Sequence, residues 1–203
     1  MVRMRSYEGF AGSRPRKSSV TVHFIGPLGH GVGLAADILE HIAQAATHAV
    51  VRDRRVAVGS AGETPRQDGL LHVVRMEAAA AGHRAAAIAE SAEIIVAWSA
   101  EAALAFAHLL KSPSDFYVVH EGHVPTWRRD LNCAVRDGAA SLAVDDRRSD
   151  DRQTGGVISA VRALGMISRR LPFDDGLWET IVAQHVPAAL REAAMHNFAA
   201  AAW

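Results

Sequence analysis

The sequence predicts an α/β domain built on a mostly parallel sheet, and three observations carry that prediction. A short, β-branched apolar stretch, Val20 to Ile25, runs into a cluster of glycines at Gly26, Gly29, Gly31 and Gly33. Beyond them the apolar period changes to that of a helix, with Val32, Ala35, Ala36, Leu39, Ile42, Ala43 and Ala46 on one face. Farther on, Glu93 to Trp98 and Phe116 to His120 are short apolar runs flanking an amphipathic segment, Ala100 to Leu110. That alternation is the pattern of parallel strands joined by right-handed crossovers.

Strand, glycine turn and helix make the first half of a Rossmann-like unit. Glycines let the backbone turn sharply, and the helix N-terminus offers free N–H groups and a positive dipole end to an anion. The dinucleotide pattern itself is not met. From Gly26 the order is Gly-Pro-Leu-Gly-His-Gly, so Leu28 stands where a second glycine would let a pyrophosphate approach. Asp53 lies at about the right distance for a ribose contact, but inside the charged run Arg52-Asp53-Arg54-Arg55. The turn therefore argues against ordinary NAD binding.

With 203 residues the chain is long enough for one α/β domain with a real core. Its 22 basic and 22 acidic residues balance, which leaves no sustained basic field for nucleic acid. No apolar run approaches the roughly 20 residues of a membrane span. A single cysteine, Cys133, excludes an internal disulfide and any iron–sulfur cluster ligated by this chain alone. A cytoplasmic protein that carries no electrons by itself is expected. Met1 to Ser19 is polar and basic, lacks the apolar core of a secretory signal, and reads as a disordered tail.

Taken in order, Arg55 to Gly59 reads as a second strand, Ser60 to Gly69 as a loop, and Leu70 to Met76 as a strand again. The gap is too short for a crossover helix, so a hairpin is expected there. Ala78 to Glu90 is alanine-rich and helical towards Arg84 to Glu90, and Cys133 to Val144 has room for one more strand. Asp145 to Gln153 is a mixed charge cluster, read as a solvated loop. From Thr154 the pattern is helical to the end. Gly155 to Arg170 forms one helix. Asp174 can cap the next, with Phe173 stapling against Trp178. Pro187 breaks it before a last helix, His196 to Trp203. The whole is a Rossmann-like three-layer domain over 20–203, with a hairpin insertion and a helical C-terminal extension over 154–203.

Four stretches resemble the gamma-type subunit of 2-oxoacid:ferredoxin oxidoreductases, nearest the small (beta) subunit of indolepyruvate oxidoreductase. Gly26-Pro27-Leu28-Gly29-His30-Gly31-Val32 stands where that family has G-x-G-G-Q-G-V. Arg66-Gln67-Asp68, leading to Val74-Arg75-Met76, matches an R-G-G loop and its strand. The strand and helix Ala92 to Leu110 match a third stretch, with Ser99 and Ala100 where the family has an acidic residue and a proline; Tyr117 to His120 then runs to Val124-Pro125. Thr154-Gly155-Gly156-Val157-Ile158-Ser159-Ala160 resembles the N-M-x-x-L-G-A helix start. The departures fall at glycine and polar positions, while the apolar scaffold is kept.

The resemblance implies a subunit that binds no cofactor alone and has no catalytic residue of its own. Thiamine diphosphate, iron–sulfur clusters and a CoA site would belong to a large catalytic partner, which oxidatively decarboxylates a 2-oxoacid, here an aryl one such as indolepyruvate. Electrons would pass to ferredoxin or another acceptor. Gly26, Gly29, His30, Gly31, Arg66 and Thr154 would line the substrate or CoA side. On this reading Gly31→Val abolishes activity of the complex while the chain stays folded. The other readings are a Rossmann-like binding module without turnover and a free-standing nucleotide-dependent oxidoreductase.

Other constellations point to chemistry less directly. His120-Glu121-Gly122-His123 has metal-ligand residue types, but a loop His-x-x-His fixes no shared face and no third ligand is evident, so no metal is expected. His30, at a helix N-terminus, is expected to be neutral. Ser99 lacks a nucleophile elbow. His41 and His48 read as partly buried residues of one helix face, and Trp98, Trp127, Trp178 and Trp203 as core or interface.

Overall fold

The computed structural model describes residues 19–27, 30–57, 69–78, 91–98, 102, 106, 109–111, 116–119 and 152–202. Outside them lie Met1 to Ser18 of the expected tail, the helix at Arg84 to Glu90, the Cys133 to Val144 strand and most of the charged loop.

One sheet organises the described chain. Strands β1 (Ser19–Pro27), β2 (His48–Ala57), β3 (Gly69–Ala78), β4 (Ile94–Ala97) and β5 (Phe116–Val118) lie in the order β2-β3-β1-β4-β5. β1 pairs in parallel with β4, and β4 with β5. β3 is antiparallel to both β1 and β2, so it alone runs against the other four. The expected hairpin is therefore present, with its second strand hydrogen-bonded to the parallel half.

Both faces of β1 are buried, which is why it reads as a continuous apolar run rather than an alternating one. One face presents Val22, Phe24, Val74, Met76, Ile94, Val96 and Trp98 to the helices. The other presents Thr21, His23, Ile25, Leu71, Val73, Ile95 and Ala97, all buried, as a three-layer arrangement requires.

Helix α1 (Val32–Ala45) lays Val32, Ala35, Ala36, Leu39, Ile42 and Ala43 against the first face, as the spacing predicts. β2 then begins at His48, seven residues before the strand expected at Arg55. The turn is made by Thr47 in a left-handed conformation (φ 61°), so no glycine marks the helix end. The run Arg52 to Arg55, which resembles a loop, belongs to an edge strand, where charge is tolerated and discourages edge-to-edge pairing. One expectation falls with it: His48 shares no helix with His41.

Of the helix expected at Ala100 to Leu110, Ala102 and Phe106 are helical, and Leu110 bridges to Ala92. Helix α2 (Arg152–Ser168) packs on the sheet beside α1 through Val157, Ala160, Val161 and Leu164. Helix α3 (Asp175–His185) starts as expected. The Asp174 carboxylate accepts from the Gly176 N–H at 2.8 Å, and the Phe173 ring sits 6.0 Å from that of Trp178. After Pro187 a short 3-10 turn, Ala188–Leu190, leads into α4 (Arg191–Ala201). That helix starts five residues before the expected His196, because only Ala194 and Phe198 of it are buried and its apolar period is correspondingly faint. Among the described residues no helix is long and apolar enough to cross a membrane.

Candidate functional site

The chemistry-bearing turn sits where the parallel strands end. Pro27 closes β1 opposite Gly69, the first residue of β3, which also pairs with Ala57, the last of β2. The loop that contains Arg66 therefore leaves and rejoins the sheet beside the glycine turn. On the other side of β1, the Trp98 N–H donates to the Ile25 carbonyl at 2.8 Å, holding the end of β4 against the same spot. In open α/β sheets this carboxyl end is where ligands bind.

Two glycines are required here by what packs on them. A Cβ on Gly26 would lie 2.6 Å from Trp98 Cβ and 3.0 Å from Val32 Cγ2, so the indole and the first residue of α1 close over a bare backbone. Gly31 is the N-cap of α1 with φ 83°, a region a side chain strongly disfavours. A Cβ there would lie 1.9 Å from the Gly156 carbonyl oxygen and 3.0 Å from Ala160 Cβ. The starts of α1 and α2 thus meet backbone to backbone.

This contact brings together two of the stretches singled out above, Gly26 to Val32 and Thr154 to Ala160. It also corrects the expectation for Gly31→Val. A branched side chain at a left-handed position, driven into a helix carbonyl, cannot leave the chain folded as before. The variant reports on the α1–α2 seam as well as on any ligand.

His30 and Thr154 are half-exposed and flank this seam, one before Gly31 and one before Gly156. Gly29 and Arg66 lie outside the described residues, as do Ser99, Ala100 and His120 to His123. Among the described residues, α1 starts without a side-chain cap and with no acidic residue in its first turn. Its positive end is not neutralised from within the helix.

Residues that belong to no motif complete the picture. His72 on β3 is buried beneath α1, and its Nδ1 accepts from Arg52 Nη2 at 3.0 Å. Arg52 in turn pairs with Asp37, and with Glu40 at 3.1 Å, both on α1. Because Nδ1 accepts, the ring hydrogen is on Nε2. That atom is buried without a hydrogen-bond partner among the described residues, and a Cβ on Gly33 would lie 3.7 Å from it. Burial, and then the positive charges of Arg52 and Arg54, hold the His72 pKa below its ordinary value. The signal was available: His72 occupies an inward position, in phase with Val74 and Met76.

The Trp98 indole N–H, also buried, has no partner among the described residues. Among the described residues, the His72 ring N–H beneath α1 is therefore a buried donor without an acceptor, an arrangement that calls for a physical explanation. No group of three or more His, Cys, Asp or Glu that could hold a metal occurs among the described residues.

No protein-family model and no curated protein sequence matches the chain. Solved structures do. A keto/oxoacid ferredoxin oxidoreductase gamma subunit from Geobacter sulfurreducens superposes with a TM-score of 0.56 at 15% identity, over 91% of this chain and 94% of that one. A pyruvate oxidoreductase subunit from Thermotoga maritima gives 0.55 at 12% identity, over 92% and 96%. A 2-oxoglutarate:ferredoxin oxidoreductase from Magnetococcus marinus, solved with 2-oxoglutarate, coenzyme A and succinyl-CoA bound, gives 0.61 at 11% identity, over 92% of this chain and 31% of that one. The chain has the fold of these oxidoreductase subunits, over nearly its whole length.

Proposed function

We propose that the chain is the gamma-type subunit of a cytoplasmic, thiamine-diphosphate-dependent 2-oxoacid oxidoreductase. The observation that carries this reading is the end-to-end likeness in fold to a gamma subunit that is itself a separate chain. The matched stretches agree with it, since two of them, more than a hundred residues apart, form the Gly31–Gly156 seam.

In this role the chain packs on a large catalytic subunit and completes its site. Thiamine diphosphate, held by the partner, supplies the carbanion chemistry of decarboxylation. The partner also holds the iron–sulfur clusters, in keeping with the single cysteine here. This chain contributes the uncapped start of α1, with Gly26, Gly29, His30 and Gly31, together with Arg66 and Thr154. Gly26 and Gly31 shape the turn, and the others face the carboxylate of the substrate or the phosphates of CoA. The unneutralised helix end fits an anionic ligand better than a cationic one. The substrate is an aryl 2-oxoacid such as indolepyruvate, and ferredoxin or another carrier accepts the electrons.

Affinity purification of the tagged chain from its native cell extract tests the reading. Co-purification of a large, cysteine-rich subunit containing thiamine diphosphate, with 2-oxoacid-dependent reduction of an acceptor dye, is the expected result. Recovery of the chain alone, as monomer or homodimer, would overturn it in favour of a binding module without turnover.

A further inference from the structure

Away from the glycine turn, two histidines from different elements face one another. His41, exposed on α1, and His185, at the last residue of α3, have ring centroids 4.5 Å apart. His185 Nε2 lies 3.1 Å from His41 Nδ1. We propose that this pair is a binding site for a borderline divalent transition-metal cation such as Zn²⁺, clamping α1 to α3 with solvent completing the coordination.

His185 already has the ring orientation of a metal ligand. His185 Nδ1 lies 2.9 Å from the Ile181 carbonyl oxygen, which can only accept, so Nδ1 carries the hydrogen and Nε2 presents its lone pair. A backbone carbonyl on the far nitrogen is the usual outer support of a metal-bound histidine; it fixes both tautomer and ring angle. His41 Nδ1 faces the Asp37 carbonyl oxygen at 2.8 Å as well as His185 Nε2, so one hydrogen is shared between two acceptors. A cation takes the place of that shared hydrogen. His41 then adopts its other neutral tautomer, with the hydrogen on Nε2. No net proton is released from the neutral pair.

The spacing also fits. Two zinc–nitrogen bonds of about 2.0–2.1 Å spanning the observed nitrogen separation subtend an angle of about 98°, between the octahedral and tetrahedral values. Entry is open because His41 is exposed. With two protein ligands rather than four, binding is expected to be far weaker than at a structural zinc site.

The test uses the purified full-length chain, titrated with ZnCl₂ and followed by calorimetry and thermal unfolding. One Zn²⁺ per chain and a concentration-dependent rise in the melting temperature are expected. His41→Ala and His185→Ala should each weaken binding at least tenfold and remove the thermal shift. The double variant should lose little more than either alone, because both ligands serve one ion. His48→Ala, on β2, should behave as wild type. Absence of binding in the wild type would overturn the assignment. So would binding undiminished in either single variant, since the ion would then be held elsewhere.

Discussion

Phe24 and His72 stand directly opposite one another on β1 and β3, and both point beneath α1. On the β1 side the helix rests on apolar strands, and Phe24 leans on the Trp98 ring at 6.2 Å. On the hairpin side the same helix is tied down by charge, through Asp37 and Glu40 to Arg52 and on to His72. The parallel half is held by area removed from water, which needs no particular geometry. The hairpin half is held by a directed network, which fixes register, because a one-residue slip would turn Arg52 and His72 to the other face. One helix can thus hold two kinds of sheet, provided its inward stripe is apolar and its flank charged.

That contrast can be broken or sharpened by substitution, and the largest effect is expected at the seam over the parallel half. Gly31→Val combines left-handed strain of about 1–3 kcal/mol with overpacking of about 1–3 kcal/mol against Gly156. Urea denaturation should show a chain at or near the limit of folding. A midpoint like that of the wild type would mean that α2 does not press on Gly31.

Phe24→Ala removes a fully buried ring and should cost about 3–5 kcal/mol by the same measurement. Arg52→Met, across the sheet, should cost less, about 1–2 kcal/mol, since the guanidinium is partly exposed and its pairs are screened. Equal costs for the two would remove the distinction between the halves.

The hairpin side should also respond to pH. The folded-state pKa of His72 is depressed below the 6.5 of the unfolded chain. Its contribution to stability is complete above that unfolded value. It is lost as pH falls from there through the lower folded pKa, because the unfolded chain takes up a proton that the folded one resists. Denaturation midpoints measured between about pH 7.5 and about pH 5.5 should fall in the wild type and fall less in His72→Gln. The smallest effect is expected at the α3 cap, where Asp174→Ala should lower stability by about 1 kcal/mol.

Local signals in the sequence were strong wherever one residue type can satisfy a position. The change of period after Gly33 located α1, the apolar run located β1, and Asp174 with Phe173 located the start of α3. The hairpin was legible from its length alone. Its first strand was not, because Thr47 turns the chain without a glycine and the strand's charges resemble a loop. Of the site, the turn and the Thr154 stretch were legible as motifs. His72 was passed over because an inward histidine in an apolar phase reads as part of the core until its partner is known.

By itself, then, the sequence determined which segments bury a face and where the backbone must bend, because periodicity and glycine act within a few residues. Only the tertiary structure decided that β3 enters the sheet between β1 and β2, that Gly31 abuts Gly156, and that Arg52 ties His72 to α1. Those are contacts between segments that carry no mark of one another. They exist because α1 and α2 lie side by side on one sheet face and leave a single space at its carboxyl end for both of their starts.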